Sequence, residues 1–128
     1  MSDNMIENKK QQWKKRVDTF RYIYSILNGD EEKMSTSTFD DRQNQIIDYF
    51  NTNIDEISDL IKALISKGWT WERTKVIDKA IIMQAYCENK AIGTDKKICI
   101  DQAIINAKNY SDINSYKFVN AILDKIIK

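Results

Sequence analysis

The stretch that decides the fold is residues 98–128, with the sequence ICIDQAIINAKNYSDINSYKFVNAILDKIIK. Apolar residues recur in it at intervals of three and four, the spacing of one face of an α-helix. The two series are Ile100, Ala103, Ile104 and Ala107, then Val119, Ile122 and Ile126. The Ser, Asp and Asn side chains between them can cap a helix start. The stretch therefore predicts two amphipathic helices joined by a short polar turn.

The remainder of the chain follows the same helical pattern. Its 128 residues contain no proline and three glycines, and strand-like alternation is scarce, so we expect a single all-α domain over residues 1–128. Apolar spacing predicts helices at about 9–27, 39–50, 53–67 and 75–89, with a short turn at 69–73 and frayed residues at 1–8. Asn53 and Glu56 form the capping box of the third helix, and Gly68 ends it. The expected fold is a compact bundle of about seven helices.

The sequence lacks the usual signs of an enzyme. It has no histidine, the commonest general base and a frequent metal ligand. It has no phosphate-binding glycine motif and no nucleophile elbow. We therefore expect no catalytic residue, no metal site, no cofactor and no enzymatic activity.

Targeting signals are absent too. No apolar run approaches the roughly 20 residues of a membrane span, and the N-terminus has no apolar signal segment. We expect a cytoplasmic protein with no membrane partner. In that compartment Cys87 and Cys99 are expected to be reduced.

Basic residues cluster near the N-terminus although the formal net charge is only +1. Residues 9–21 hold six basic residues and one acid: Lys9, Lys10, Lys14, Lys15, Arg16 and Arg21, with Asp18. This helix can be a solvated face opposite a core stripe, or an edge that binds phosphates and releases their counterions. Phe118 has two interpretations as well. It can belong to the core, or it can be exposed and stack on an unpaired base.

The C-terminal half resembles the NusB family in several short motifs. They are WTWER at 69–73, IDKAII at 77–82 followed by Ala85 and Glu88, IDQA at 100–103 and SYKFVNAILDK at 115–125. The resemblance covers residues 69–128 well. The N-terminal half is similar more loosely, through its basic start and through Ile23 and Tyr24.

This resemblance implies an all-helical, NusB-like fold of two helical subdomains, at about 9–67 and 69–128. It implies a transcription antitermination factor of the elongation complex. Such a factor binds the boxA RNA of nascent ribosomal RNA transcripts together with NusE, a small-subunit ribosomal protein. The RNA contacts of the family carry over to Lys9, Lys10, Lys14, Lys15, Arg16, Lys117 and Phe118. The NusE-facing positions would be Tyr24 and Glu88, expected on one exposed patch.

Departures from the family pattern keep an alternative open. The basic cluster is mostly lysine where the family has arginine, which leaves fewer bidentate phosphate contacts, and Trp13 stands inside it. Asn114 occupies the place of an Asp, and Ala121 that of a Gly. The alternative is a helical adaptor that binds only proteins and has lost RNA affinity. A module related to that of certain ribosomal RNA methyltransferases is disfavoured, since no methyltransferase domain is attached.

Overall fold

The computed structural model describes residues 2–32, 34–65 and 71–128. These residues form five α-helices: α1 Ser2–Leu27, α2 Asp41–Lys62, α3 Val76–Ile92, α4 Lys96–Tyr110 and α5 Ser115–Ile126. A short 3₁₀ helix, Trp71–Arg73, precedes α3, and no strand occurs in the described ranges. The predicted all-α class is therefore confirmed. The count of about seven helices is slightly too high.

The number of helices differs because two of the predicted helices form one continuous, kinked helix. Residues predicted as separate helices at 39–50 and 53–67 join in α2, with a kink at Asn53 (φ −119°, ψ 16°). The Asn53 side chain donates to the Tyr49 carbonyl at 2.9 Å, so it supports the kink and does not cap a new helix. The capping box of α2 lies at Asp40 and Gln43 instead. The helix ends at Lys62, so the predicted extension to residue 67 is wrong, and Gly68 itself lies outside the described residues.

Both ends of α1 can be compared with the prediction. The helix begins at Ser2, so the prediction of a frayed segment up to residue 8 is wrong for the backbone. It ends at Leu27 as predicted, and Gly29 follows with φ 74°. Gly93 ends α3 in the same left-handed conformation, and its N–H donates to the Asn89 carbonyl. A glycine adopts this conformation without the steric penalty of a Cβ atom.

The helix α3 lies at the centre of the molecule and contacts each of the other four helices. Nine consecutive residues, 80–88, are buried in it. A helix that is buried all round must be mostly apolar or must pair its polar groups. Most of these residues are apolar, and the two polar exceptions, Gln84 and Glu88, are bonded to each other.

One cluster of buried side chains draws on all five helices. Six of the seven residues in the two apolar series of the C-terminal stretch are buried: Ile100, Ala103, Ala107, Val119, Ile122 and Ile126. The seventh, Ile104, is half-buried and packs against the cluster. The division into two subdomains stays a prediction, because its boundary falls in residues 66–70, which are not described.

Both cysteines are buried and free, as expected for a chain without a disulfide. Burial raises the pKa of Cys87 and raises that of Cys99 to about 12, so both thiols stay protonated near neutral pH. Among the described helices, none is long and apolar enough to span a membrane.

The packing of α5 can be tested at Ile122, which is 4% exposed. Ile122→Ala should lower the free energy of unfolding by roughly 2–5 kcal/mol, because it removes buried methyl groups and leaves a cavity. Urea unfolding followed by circular dichroism measures this. Ile113→Ala is the control, since Ile113 is 83% exposed and should change stability by less than about 0.5 kcal/mol. A similarly small loss at Ile122 would contradict the packing of α5.

Candidate nucleic-acid interface

The lysines in the N-terminal half of α1 are exposed, as a phosphate-binding edge requires. Within the described part of the chain, Lys9, Lys10 and Lys14 form no ion pair. Lys15 differs, because its Nζ lies 2.9 Å from Oδ2 of Asp40, the N-cap of α2. The backbone N–H of Gln43 and the Lys15 ammonium both lower the pKa of Asp40. Three of the four predicted lysines therefore have no acidic partner among the described side chains.

Arg16 is directed inward and pairs with Glu88 of α3. Its Nε donates to Oε1 and its Nη2 to Oε2, each at 2.9 Å. Only 12% of the Arg16 side chain is exposed. A bidentate pair of this kind fixes the guanidinium geometrically and uses its charge. In this arrangement Arg16, expected to bind RNA, is a structural link between α1 and α3.

Glu88 is almost fully shielded, with 2% of its side chain exposed. The expectation that Glu88 and Tyr24 share an exposed patch is therefore wrong for Glu88, because α3 is enclosed by the other helices. Besides Arg16, the carboxylate accepts from Gln84 Nε2 at 2.9 Å and from Arg42 Nη2 at 3.3 Å. Burial acts to raise the pKa of Glu88, but the pairing with Arg16 and the other hydrogen bonds outweigh it, so the pKa is lowered.

Arg42 extends this cluster to the end of α3. The same Nη2 donates to Thr94 Oγ1 at 2.8 Å, while Asn89 Nδ2 donates to the Thr94 carbonyl at 2.9 Å. One buried carboxylate thus joins α1, α2, α3 and the connection that leads to α4.

Tyr24 lies on a different surface and is half-buried. It lines an open groove of about 620 Å³ between α1, the connection after α1 and the facing ends of α3 and α4. The other lining residues are Phe20, Arg21, Ser25, Asp30, Glu32, Met34, Ile77 and Tyr110. Phe20 and Tyr110 meet edge to face at 5.4 Å between ring centroids. Tyr24 is therefore accessible, and its partner-binding role stays a prediction.

Phe118 combines the two interpretations that the sequence left open. It is half-buried and packs against the core, yet it also lines an open cleft of about 580 Å³ where the start of α5 faces the start of α3. The other lining residues are Arg73, Thr74, Lys75, Asp78, Asp112, Ile113, Asn114 and Ser115. Its neighbour Lys117 is exposed. A ring in this position contributes to the core and still has access to a ligand in the cleft.

A small polar network fixes the turn that carries Phe118. Asp78, which is buried, accepts a hydrogen bond from Ser111 Oγ at 2.6 Å, and the hydroxyls of Ser111 and Ser115 are hydrogen-bonded at 3.0 Å. Lys75 and Asp112 form an ion pair beside it. Sequence reasoning missed Asp78. The available signal was an acid that shares a helix face with Ile81, Ile82 and Ala85, at intervals of three, four and seven.

The ion pair of Arg16 and Glu88 predicts a specific acid sensitivity. Glu88→Gln leaves a buried guanidinium without its counter-charge and should cost roughly 3–5 kcal/mol of unfolding free energy at pH 7. Because the pKa of Glu88 is lowered in the folded state, its stabilising effect is present above the unfolded pKa of about 4.3 and is lost as the pH falls through the folded value. The gap between wild type and variant should therefore narrow in acid.

Thermal melts of both proteins between neutral and acid pH measure this gap. The matched control is Glu56→Gln, a change at an exposed residue of α2. It should leave the melting temperature nearly unchanged at every pH. A Glu88→Gln protein as stable as wild type at pH 7 would show that the pair is not needed.

Comparisons with known proteins agree with the all-α fold and identify the family. The model of the NusB family matches residues 3–128. The chain is 31% identical to the transcription antitermination protein NusB of Pediococcus pentosaceus over 98 residues, which is 77% of this chain and 74% of the relative. It is 30% identical to NusB of Finegoldia magna over 125 residues, covering 88% and 90% of the two chains. The solved structure of T. maritima NusB is similar with a TM-score of 0.73 and 27% identity, covering 90% of this chain and 89% of that one.

Proposed function

Because the chain belongs to the NusB family, we propose that it acts in transcription antitermination by binding boxA-type RNA of nascent ribosomal RNA transcripts together with NusE. It would do so as part of the transcription elongation complex. The observation that carries the RNA-binding part is that Lys9, Lys10 and Lys14, in the N-terminal half of α1, are exposed and form no ion pair with the described side chains. On a chain with a net charge of +1, such a local concentration favours a polyanion at that end.

The cleft at Phe118 supplies a second type of contact. Phosphate contacts position a nucleic acid, whereas stacking and base-edge contacts hold unpaired bases. Phe118 presents a ring to an open cleft, and the network around Asp78 and Ser111 fixes the backbone on which that ring stands. Lys117 lies beside it with an exposed ammonium. This arrangement suits an unpaired base with its phosphate nearby.

For NusE, the groove at Tyr24 is the proposed receiving surface. Asp30 and Glu32 line it together with the apolar side chains of Met34 and Ile77. Acidic groups beside an amphipathic tyrosine suit a basic partner. Glu88 would contribute indirectly, because it fixes α1, the helix that carries Tyr24, against α3.

One observation favours the adaptor alternative. Of the five basic residues expected to contact RNA on α1, Arg16 and Lys15 are engaged in ion pairs. Gel-shift titrations with a boxA-like RNA, with and without NusE and over a range of salt, separate the two functions. RNA binding that weakens steeply with salt supports the antitermination complex. Binding to NusE without RNA affinity would support the adaptor and overturn the proposal.

The lysines of α1 should act through charge alone. The double variant Lys10→Ala, Lys14→Ala removes two exposed charges. The slope of log affinity against log salt should then fall by about 0.7 for each phosphate of the single strand that is no longer neutralised. Filter binding at several salt concentrations measures the slope. The matched control, Lys97→Ala with Lys125→Ala, removes the same charge from exposed positions on α4 and α5. If both doubles change the slope equally, the start of α1 is not a specific phosphate-binding edge.

Phe118 should act through stacking. Phe118→Ala should weaken RNA binding by roughly 1–3 kcal/mol and leave the salt slope almost unchanged, because the charge of the protein stays the same. Phe118→Leu retains apolar packing without an aromatic face, so it should bind RNA nearly as weakly while melting closer to wild type. Circular dichroism and thermal melts report the folded state. A Phe118→Ala protein that melts far lower and binds RNA normally when folded would assign the ring to the core alone.

A further inference from the structure

A shallow groove of about 230 Å³ lies between the start of α1 and α4. Its lining residues are Lys9, Lys10, Trp13, Gln102 and Ile105. It is smaller than the roughly 300–1,000 Å³ of pockets that enclose a drug-sized ligand, so it suits one flat ring. Ile105 is 41% exposed, and Trp13 is half-buried. The groove thus has an aromatic and an aliphatic wall below two lysines.

The orientation of Trp13 is fixed by a hydrogen bond across the two helices. Its Nε1 donates to Oδ1 of Asn106 at 2.9 Å, and Asn106 is fully buried. Because the indole N–H can only donate, its partner on Asn106 must be the amide oxygen. The second polar atom of that side chain is therefore the amide nitrogen, Nδ2. A ring that is held in place loses little conformational freedom when a second ring stacks on it.

Two polar atoms beside this wall have no hydrogen-bond partner among the described residues. They are Oε1 of Gln102 and Nδ2 of Asn106, which are shielded from solvent and lie one helical turn apart. An unmet buried donor or acceptor carries a free-energy cost, and native proteins contain few of them. Of the two residues, Gln102 lines the groove, and its unmet acceptor can be satisfied by a donor on the edge of a nucleobase, such as an amino group.

We propose that this groove is a subsite for one nucleotide of a single-stranded RNA and that it prefers a base with an exocyclic amino group. The base lies against Trp13 and Ile105, and Gln102 Oε1 accepts from the amino group. A base with a carbonyl in place of the amino group would instead bring a second acceptor against this oxygen. The inference rests on the RNA binding proposed above and adds a base preference to it.

The neighbouring charges favour a nucleotide over an apolar peptide. Lys9 and Lys10 precede Trp13 by four and three positions, so both ammonium groups can reach the edge of the groove on either side of the ring. Neither forms an ion pair within the described residues. An aromatic face flanked by cations is the usual arrangement for sequence-tolerant binding of single strands. The side-chain amide of Gln102 would distinguish one base from another, which stacking alone does not.

Cytosine and uracil provide a sharp test, because they have the same ring size and differ at position 4 by an amino group or a carbonyl. Fluorescence anisotropy with short labelled oligo(C) and oligo(U) RNAs of equal length measures both affinities. Wild type should bind oligo(C) roughly threefold to tenfold more tightly, the effect of one hydrogen bond. Gln102→Leu should lower the oligo(C) affinity to the oligo(U) level without changing the salt slope. The matched control Gln45→Leu, at an exposed residue of α2, should retain the preference.

The outcomes separate this subsite from RNA binding in general. Equal wild-type affinities, or a preference that survives Gln102→Leu, would overturn the subsite and leave the proposed function standing. A wild type that binds neither these oligonucleotides nor a boxA-like RNA would overturn both. The melting temperature of Gln102→Leu gives a second criterion. It should equal or exceed that of wild type, since the variant removes an unpartnered acceptor. A much lower value would show that Gln102 is bonded within the protein and would also overturn the subsite.

Discussion

The carboxylate of Glu88 is the point on which the arrangement of the helices depends. It sits on the central helix α3, it is 2% exposed, and two arginines from different helices reach it. A charge in such a place costs several kcal/mol of desolvation unless it is paired and hydrogen-bonded. Glu88 meets that condition through Arg16, Arg42 and Gln84. The bonds to Arg16 and Arg42 also limit the positions that α1 and α2 can take against α3, which apolar contacts alone constrain less strictly.

This pairing divides the basic cluster of α1 into two functional parts. Arg16 lies on the inner side and serves packing, whereas Lys9, Lys10 and Lys14 are exposed and form no ion pair with the side chains that the structure describes. Lys15 takes a middle position, since its salt bridge to Asp40 is partly exposed and therefore contributes little to stability. Neighbouring residues of like charge in a sequence can thus have different roles, because each lies on a different side of the helix.

The proposed RNA contacts lie on parts of the surface that other elements hold in place. Trp13 is held by Asn106 of α4, and the turn before Phe118 is held by Asp78 of α3. In both cases the polar partner is buried and the aromatic ring is only half covered. A rigid, partly exposed ring is suited to stacking, because little side-chain entropy remains to be lost on binding.

The sequence by itself determined the fold class, the C-terminal end of α1, the start of α3 and the core positions of α5. These follow from local rules, since an apolar period near 3.6 and a glycine after the last turn depend only on near neighbours. Local rules also led to the error at Asn53, because they could not weigh its capping box against the continuous packing of α2 on α3. The family motifs identified Phe118 and the lysines, but the binding role of each stays a prediction.

Only the tertiary structure decided that Glu88 is buried, that Arg16 faces inward and that Gln102 and Asn106 adjoin Trp13. The physical reason is that these partners are distant in sequence, 72 positions apart for Arg16 and Glu88 and 93 for Trp13 and Asn106. Helical periodicity places a side chain on a face of its own helix, and only the packing of helices determines what that face meets.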